Sequence, residues 1–451
     1  MTDVVARLVD ALPPDEVVQD PDVIAAYARD AADLCPVGEA RALVRARSVA
    51  SVATTLRLAH EARCPVVTRG AGTGLSGGAN AIDGCLLLSV AKLDRILHID
   101  RAARLAKVQA GVLNGDLDRA AAEHGLMYAP DPASRDISSI GGNVATNAGG
   151  ACCLKYGVTG DHVAEITAVL ADGSIIHTGA TSGKNVAGLD LNRLLVGSEG
   201  TLAVIVEVTV RLLPRRAARG TLVAFFSTLA DAGRAIVELG SSASLSRLEV
   251  MDQTTVRAVD DLLHLELDRD AAAMVLAQAD TADAQAIIAA AETTCERHAS
   301  STVFTTLDES EGKVFMQARS AALPALEKRG PWLLDDVAVA PTRIPELLEL
   351  CARAANDHEV VVGTFGHAGD GNLHPTLIYD GEDGRRRALA AFDAILMGTL
   401  ELGGTVTGEH GVGLLKRPHL ERMLGSRELQ LMRGIKTVFD PRGILNPGKG
   451  Y

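Results

Sequence analysis

No apolar run in the 451 residues reaches the roughly 18 that a membrane-spanning helix needs. The opening residues 1–10 carry acidic groups where a secretory signal would be basic. A basic surplus is missing too: 44 Lys and Arg stand against 57 Asp and Glu, for a net charge of −13 and a pI near 5.4. That balance excludes a nucleic-acid phosphate backbone as partner, and a small anion must be held by local groups against the field of the whole chain. The seven cysteines, Cys35, Cys64, Cys85, Cys152, Cys153, Cys295 and Cys351, form no CxxC pair and no even framework, so reduced, mostly buried thiols are expected. No internal repeat or low-complexity tract occurs. The expectation is a soluble cytoplasmic protein, or one peripheral at the inner membrane, with two or three domains of roughly 100 to 250 residues.

What the chain does have is glycine in clusters. Residues 69–80, RGAGTGLSGGAN, follow the apolar run 65–68, and Gly70, Gly72, Gly74, Gly77 and Gly78 free successive backbone N–H groups to wrap a phosphate. No Gly-Lys-Ser/Thr follows, as a P-loop requires, and no helix follows, as a dinucleotide fingerprint requires. The next run, residues 84–90, reads as a buried strand, so this cradle joins strand to strand.

Around it, residues 3–12 and 22–30 read as helices, and 42–46 as a strand. Ser48 caps a helix through Ala62, and Asn114 caps another over 116–124. Residues 130–150, PDPASRDISSIGGNVATNAGG, read as a long irregular loop that Tyr156, Gly157, Gly160 and Asp161 continue, low in charge and rich in short polar side chains. Strands at 163–171 and 174–178 flank the hairpin signal Asp172-Gly173. A third glycine loop, LVGSEGT at 195–201, precedes a β-branched run over 202–213. Three such loops in one domain can line one extended ligand bearing a diphosphate and an aromatic ring system.

Arg215, Arg216 and Arg219 mark a solvated connection after Pro214. Strands at 221–226, 273–279 and 302–306 then alternate with helices at 229–239, 282–298 and 309–327, a pattern for an open sheet covered on one face. Further on, strands at 360–365 and 377–379 turn at Gly369-Asp370-Gly371-Asn372, bringing His367 and His374 together across a hairpin. Two imidazoles so placed can share a divalent ion. Glu409-His410 offers a third oxygen or nitrogen ligand and a spare imidazole, leaving a coordination position open for substrate. Zinc suits such a set, and manganese or iron tolerates it. His298 and His358 read as hydrogen-bonded core histidines, and Lys449 as a lysine that is either solvated or offsets the charge of a bound phosphate or its attached ring system.

The cradle, PDPASRDISSIGGNVATNAGG, KYGVTGDHV, LLVGSEGTLAVIVEVTVRLLP, GHAGDGNLHP, TGEHGVG and FDPRGILNPGK, in that order over nearly the whole chain, resemble the FAD-dependent 2-hydroxy acid dehydrogenases. These are members of the vanillyl-alcohol oxidase and p-cresol methylhydroxylase superfamily, and the similarity is to its group of FAD-linked glycolate oxidase subunit, D-lactate dehydrogenase and D-2-hydroxyglutarate dehydrogenase. The resemblance implies an α+β fold: a two-part FAD-binding domain at 1–215, an inserted cap or substrate domain at 216–400, and a C-terminal return at 401–451 that completes the FAD site. It implies FAD contacts from Arg69, Gly70, Gly72, Thr73, Gly74, Leu75, Gly77 and Gly78 in the cradle. Pro130, Asp131, Ser134, Gly141, Gly142, Asn143, Thr146, Asn147, Gly149, Gly150, Tyr156 and Gly157 supply the middle of the site, and Gly200, Val204, Ile205, Glu409 and Asn446 the rest. Relatives often tether FAD to a cradle histidine. Here Thr73 stands near that place, so dissociable FAD is expected, with Cys152 and Cys153 left open as thiol attachment points.

The same resemblance assigns His367, His374 and Glu409 as metal ligands, His410 as base and Arg319 as the group that binds the substrate carboxylate. The implied reaction takes a 2-hydroxy acid to a 2-oxo acid by hydride transfer to flavin, with His410 accepting the hydroxyl proton. The run WLLDDVAVA at 332–340 carries no lysine for a second carboxylate, and Asp335 or Asp336 facing the pocket would repel one. This favours D-lactate or glycolate over D-2-hydroxyglutarate. Electrons would pass to a quinone, cytochrome or electron-transfer flavoprotein, and a homodimer is left open. A non-catalytic FAD-carrying subunit and a peroxide-forming oxidase are the competing readings.

Overall fold

The structure is a computed structural model describing residues 3–32, 34–216, 220–242 and 244–451. Contacts divide the chain into two units: Met1–Gly149, Gly157–Arg215 and Glu409–Tyr451 form one, and Gly150–Tyr156 with Arg216–Gly408 form the other.

In the first unit a four-stranded sheet runs in the order Val17–Val18, Ala42–Arg45, Leu86–Ser89, Val66–Arg69, the last three parallel. Side chains alternate across a strand, so Ala42, Val44, Val66, Leu86 and Leu88 enter the large core. Leu43, Val67 and Leu87 join a smaller cluster with Ile24 and Ala28 on the opposite face. Burial on both faces explains why these strands read as unbroken apolar runs. Ser48 does cap the helix Val49–Ala62, its Oγ accepting from the Ser51 N–H at 3.0 Å. A second sheet, antiparallel throughout, orders Ile96–Asp100, Leu105–Gln109, Val204–Arg211, Val163–Val169 and Ile175–Gly179, and contains the expected hairpin.

The strand that enters the glycine cradle is completed from far away in sequence. Val66 N–H donates to Ile444 O at 2.7 Å and Asn446 N–H donates to Val66 O at 2.8 Å. Two local readings are corrected. Asn114 lies inside the helix Asn114–Ala122, whose N-cap is Leu113, because its amide donates to Pro130 O at 3.1 Å instead of capping. Residues 130–150 are not wholly irregular: Ile140–Thr146 is a helix capped by Ser139 and stopped by Asn147 at φ 53, and short helices Cys153–Tyr156 and Thr159–His162 follow. Small residues tolerate the close packing there, since a Cβ on Gly141 would fall 2.6 Å from Ala110 Cβ.

The second unit is built on one sheet ordered Ser300–Thr306, Gly220–Phe226, Ala273–Ala279, Arg247–Asp252, Val361–His367, Asn372–Ile378, Trp332–Leu334. The short strand Val337–Ala338 also pairs with Asn372–Ile378. This sheet is covered on both faces, not one. Gly220 abuts Ile288 of the helix Ala284–Arg297, while the next residue, Thr221, abuts Gly312 of the helix Glu309–Ser320. Consecutive strand residues point to opposite faces, so a helix lies on each. The helix expected over 309–327 breaks at Ala321 into Glu309–Ser320 and Ala322–Glu327. The run 332–340 forms two short strands, Trp332–Leu334 and Val337–Ala338, separated by Asp335-Asp336, both fully buried. Arg215 is paired with Asp118 at 3.2 Å, and Arg219 lies outside the described residues. All seven cysteines are free. Among the described residues no helix is long and apolar enough to cross a membrane.

Asp252 ends one sheet strand and caps the helix Gln253–Leu263, accepting the Thr255 and Thr364 N–H groups, each at 2.8 Å. Burial pushes its carboxyl up to about 6, against those two hydrogen bonds. A raised carboxyl favours the protonated native state, so its contribution is full below the unfolded value near 4 and is lost as pH rises through 6. Asp252→Asn keeps the cap and is expected to remove a pH-dependent stability difference of at most roughly 3 kcal/mol between pH 4 and pH 7. Urea unfolding of both proteins at those two pH values checks it, and parallel pH profiles would refute it.

Candidate active site

In the first unit the cradle lies between the end of the strand Val66–Arg69 and Asn80. Gly72 and Gly77 have φ of 79° and 77°, a left-handed turn that side chains resist. Among the described residues, no backbone amide of residues 70–78 donates to a protein acceptor, whereas the Gly74, Ser76 and Gly78 carbonyls all accept from protein donors. A run of unpaired amides with its carbonyls tied back is an anion cradle. Arg69 donates to Arg29 O at 2.5 Å, with its guanidinium over the Tyr27 ring.

Other predicted residues gather here. A Cβ on Gly70 would meet Ser139 Oγ at 2.4 Å, and one on Gly200 would come within 3.8 Å of both Asn446 and Thr68. Asn446 donates to Gly78 O and to Glu199 O, at 3.1 and 2.6 Å. Asn147 accepts from Gly160 N at 2.8 Å, Thr146 donates to Gly142 O, and Val204 and Ile205 start a buried strand. Thr73, Leu75 and Gly74 lie along the half-buried cradle, Pro130, Asp131 and Ser134 in the turns before Ser139, and Gly149 and Gly157 on either side of the excursion into the second unit. Gly150 and Tyr156 fall within that excursion, and the Tyr156 hydroxyl bonds to Asp280. Thr68 Oγ1, Asn143 Nδ2, Ser198 Oγ and Asn446 Oδ1 are buried without a protein partner. Buried polar atoms are rarely left so, and a polar extended cofactor fits them.

Glu199, which sequence reasoning passed over inside its glycine loop, organises the approach to Glu409-His410. Held at φ 50, it accepts the Val412 and Gly413 N–H groups, both at 2.7 Å. Burial raises its carboxyl against those bonds and the charge of Lys449. Ser76 Oγ donates to His410 O at 3.2 Å, and His410 Nε2 lies 3.9 Å from Glu409 Oε1.

In the second unit, Phe365 is paired with His374 and His367 with Asn372, which puts both histidines on one face of the hairpin with ring centroids 5.3 Å apart. The unforeseen residue here is Glu249, in the strand Arg247–Asp252. With 1% of its side chain exposed, it contacts His367 Nδ1 at 2.9 and 3.0 Å and accepts from Arg319 Nε at 2.7 Å. Burial pushes its carboxyl up, but the charges of His367, Arg319 and Arg247 outweigh that and hold it below the usual range. A carboxylate on Nδ1 fixes the tautomer that leaves Nε2 to ligate, the usual support of a metal-binding histidine. Arg319 also lies over the Phe365 ring, 4.9 Å from its centroid, and has no further protein partner among the described residues, so its outer nitrogens remain for an anion.

Asp336 accepts from Asn372 Nδ2 at 2.8 Å, Thr407 Oγ1 at 2.6 Å and Gly408 N–H at 3.0 Å, and lies 3.7 Å from His374 Nδ1. Glu409 is the next residue in the chain. His298 is partly buried on Glu238 at 2.8 Å, and His358 is also only partly buried, so neither is a core histidine.

Residues 40–179 match the family described as FAD binding domain, and residues 215–450 match FAD linked oxidases, C-terminal domain. The chain is 39% identical over 420 residues to the glycolate oxidase subunit GlcD of Bacillus subtilis, covering 91% of this chain and 88% of that protein. It is 34% identical over 452 residues to a D-lactate dehydrogenase of Archaeoglobus fulgidus, covering 99% and 98%. A D-2-hydroxyglutarate dehydrogenase of Xanthomonas citri is 35% identical, covering 89% and 87%. Among solved structures, p-cresol methylhydroxylase with substrate bound superposes at a TM-score of 0.81 with 17% identity, covering 99% of this chain and 96% of that one, and shares the fold.

Glu249→Gln leaves Arg319 buried without its charge partner, and the expected loss is on the order of 3 kcal/mol in unfolding free energy. Adding Arg319→Met removes the stranded charge and should recover part of it. Urea denaturation of the single and double variants measures both, and a single variant as stable as the parent would show that the pair contributes nothing.

Proposed function

The chain belongs to the FAD-linked oxidase family and is an FAD-dependent oxidoreductase, and from that premise we propose that it oxidises a short D-2-hydroxy acid, D-lactate or glycolate in preference, to the 2-oxo acid. The observation that carries the reading is Glu249: one buried carboxylate fixes both a guanidinium with free outer nitrogens and a histidine facing a second histidine. That pairs a carboxylate receptor with imidazoles able to ligate, the two things a 2-hydroxy acid requires of a protein.

When bound, FAD supplies acceptance of the hydride from C2, and a divalent ion, zinc in the first instance, supplies acidity at the substrate hydroxyl. His367, His374 and Glu409 would hold the ion. Arg319 orients the substrate by pairing with its carboxylate, and its stack on Phe365 keeps the fork from swinging. His410 takes the hydroxyl proton as general base. Glu199 holds the backbone just after His410, so that the imidazole starts from a fixed position. FAD is bound without a covalent bond by the cradle, residues 139–147, Gly200 and Asn446. The absence of lysine in 332–340 disfavours a second substrate carboxylate. Asp336 takes no part in that selection, since its oxygens are used by Asn372, Thr407 and Gly408. The acceptor is a quinone, cytochrome or electron-transfer flavoprotein, and the subunit status in the Bacillus relative's name supports further polypeptides in the working assembly.

Anaerobic addition of D-lactate, glycolate and D-2-hydroxyglutarate in turn, before and after chelation, tests this through the flavin absorbance. Bleaching by D-lactate or glycolate that chelation abolishes is expected, and a yellow protein that none of them bleaches with metal restored would overturn it. His410→Ala should keep its flavin while the reduction rate falls by roughly 10²–10⁴, whereas His374→Ala should lose bound metal as well. An unchanged rate in His410→Ala would remove that residue from the role of base.

A further inference from the structure

Lys449 is 2% exposed, although a lysine near the end of a chain is ordinarily solvated. Its ammonium donates to Gly78 O at 3.0 Å and to Asn80 O. Burial pushes it down to about 8, even with Asp30, Glu199, Cys35 and Cys85 nearby to favour its charge. Two donors from the same C-terminal stretch reach the same carbonyl, since Asn446 Nδ2 also bonds Gly78 O. Upstream, the Leu414 and Leu415 N–H groups converge on Ser76 O at 2.8 and 3.1 Å. The carbonyls of alternate residues Ser76, Gly78 and Asn80 are therefore all drawn to residues 414–449.

In a trans peptide the N–H points opposite to the carbonyl. Drawing the carbonyls to one side thus turns the following amides to the other: among the described residues Gly77 N–H meets no protein acceptor, while Ala79 N–H donates to Asp30 Oδ2 at 3.2 Å and Ala81 N–H to Ala28 O at 2.7 Å, which pins the end of the loop from both sides. A loop of five glycines has little intrinsic preference for that arrangement, because glycine loses more backbone freedom on ordering than any other residue. Something outside the loop must impose it.

We infer that Lys449 is a positioning residue for the cofactor: it holds the Gly78 and Asn80 carbonyls and, with Asp30 and Ala28 O on the amides opposite, fixes the exit of the loop whose unpaired amides receive the diphosphate. This rests on the assignment of the cradle to the FAD diphosphate. Lys449 touches no reacting atom, and its effect is confined to ligands that carry the diphosphate. Lys436 is the natural comparison. It is also drawn inward, bonding Thr201 O, Leu445 O and Asp440, and none of these is in the cradle.

The test is titration of the full-length apoprotein with FAD and with riboflavin, which lacks the diphosphate, for the parent, Lys449→Met and Lys436→Met, alongside thermal unfolding. The parent is expected to prefer FAD strongly. Lys449→Met should lose about tenfold in FAD affinity with riboflavin binding nearly unchanged, so the preference shrinks. Lys436→Met should lower the melting temperature and leave the preference intact. An undiminished preference in Lys449→Met, or an equal decline in both variants, would overturn the inference. A parent with no preference for FAD over riboflavin would instead refute the assignment of the cradle. Should Lys449→Met fail to fold, Lys449→Gln, which keeps one donor under the loop, carries the same comparison with a smaller expected decline.

Discussion

A carboxylate withdrawn from water must find its counter-charges inside the protein, and much of the second unit answers to that constraint at Glu249. Its partners come from separate elements, Arg319 from a helix and His367 from a hairpin strand, with Arg247 from its own strand adding charge. None of these can move without stranding a charge, so the orientation of the guanidinium and the tautomer of the imidazole follow from one desolvated group. Asp336 plays the matching part behind His374, tying Asn372 of the hairpin to Thr407 and Gly408. Two buried acids that meet no substrate in the proposed chemistry thereby set the groups that do.

The hairpin itself was legible in the residues, because the turn formers Gly369 to Asn372 fix a register in which His367 and His374 share a face. So was the cradle, since clustered glycines between two apolar runs have few other uses. Glu249 was not legible. It stands between Leu248 and Val250, each 1% exposed, in a strand with no solvent face, and a lone acid in such a run looks like an ordinary alternation until both faces prove to be covered. The same error produced the expectation of a sheet covered on one face, as periodicity reports burial but not what supplies it. The helix Ile140–Thr146 escaped notice because glycine, asparagine and threonine are weak helix formers, and tertiary packing against Ala110 outweighs their preference. The solvated reading of Lys449 fails for a simpler reason: nearness to the end of a sequence says nothing about nearness to water.

The glycine loops follow a common logic. Each is a stretch with little shape of its own that acquires shape from a polar group elsewhere in the fold: Glu199 for the backbone of residues 412–413, Asn147 for Gly160, and the tail from 414 to 449 for the cradle. Flexibility in sequence and precision in structure are compatible here because the precision is imported.

That importation sets an order of events during synthesis. Lys449 and Gly78 are 371 positions apart, and the edge of the strand entering the cradle stays open until residues 444–446 arrive. The long segment Arg216–Gly408, apart from the short excursion it shares its core with, needs nothing downstream of itself and can collapse while the rest is still being translated. The cradle is made long before the residues that shape it, so a growing chain holds an open sheet edge and an unshaped glycine loop until residues 414–449 emerge. A ligand of the cradle would then be captured after those distant residues have paired, rather than serve as a nucleus for folding.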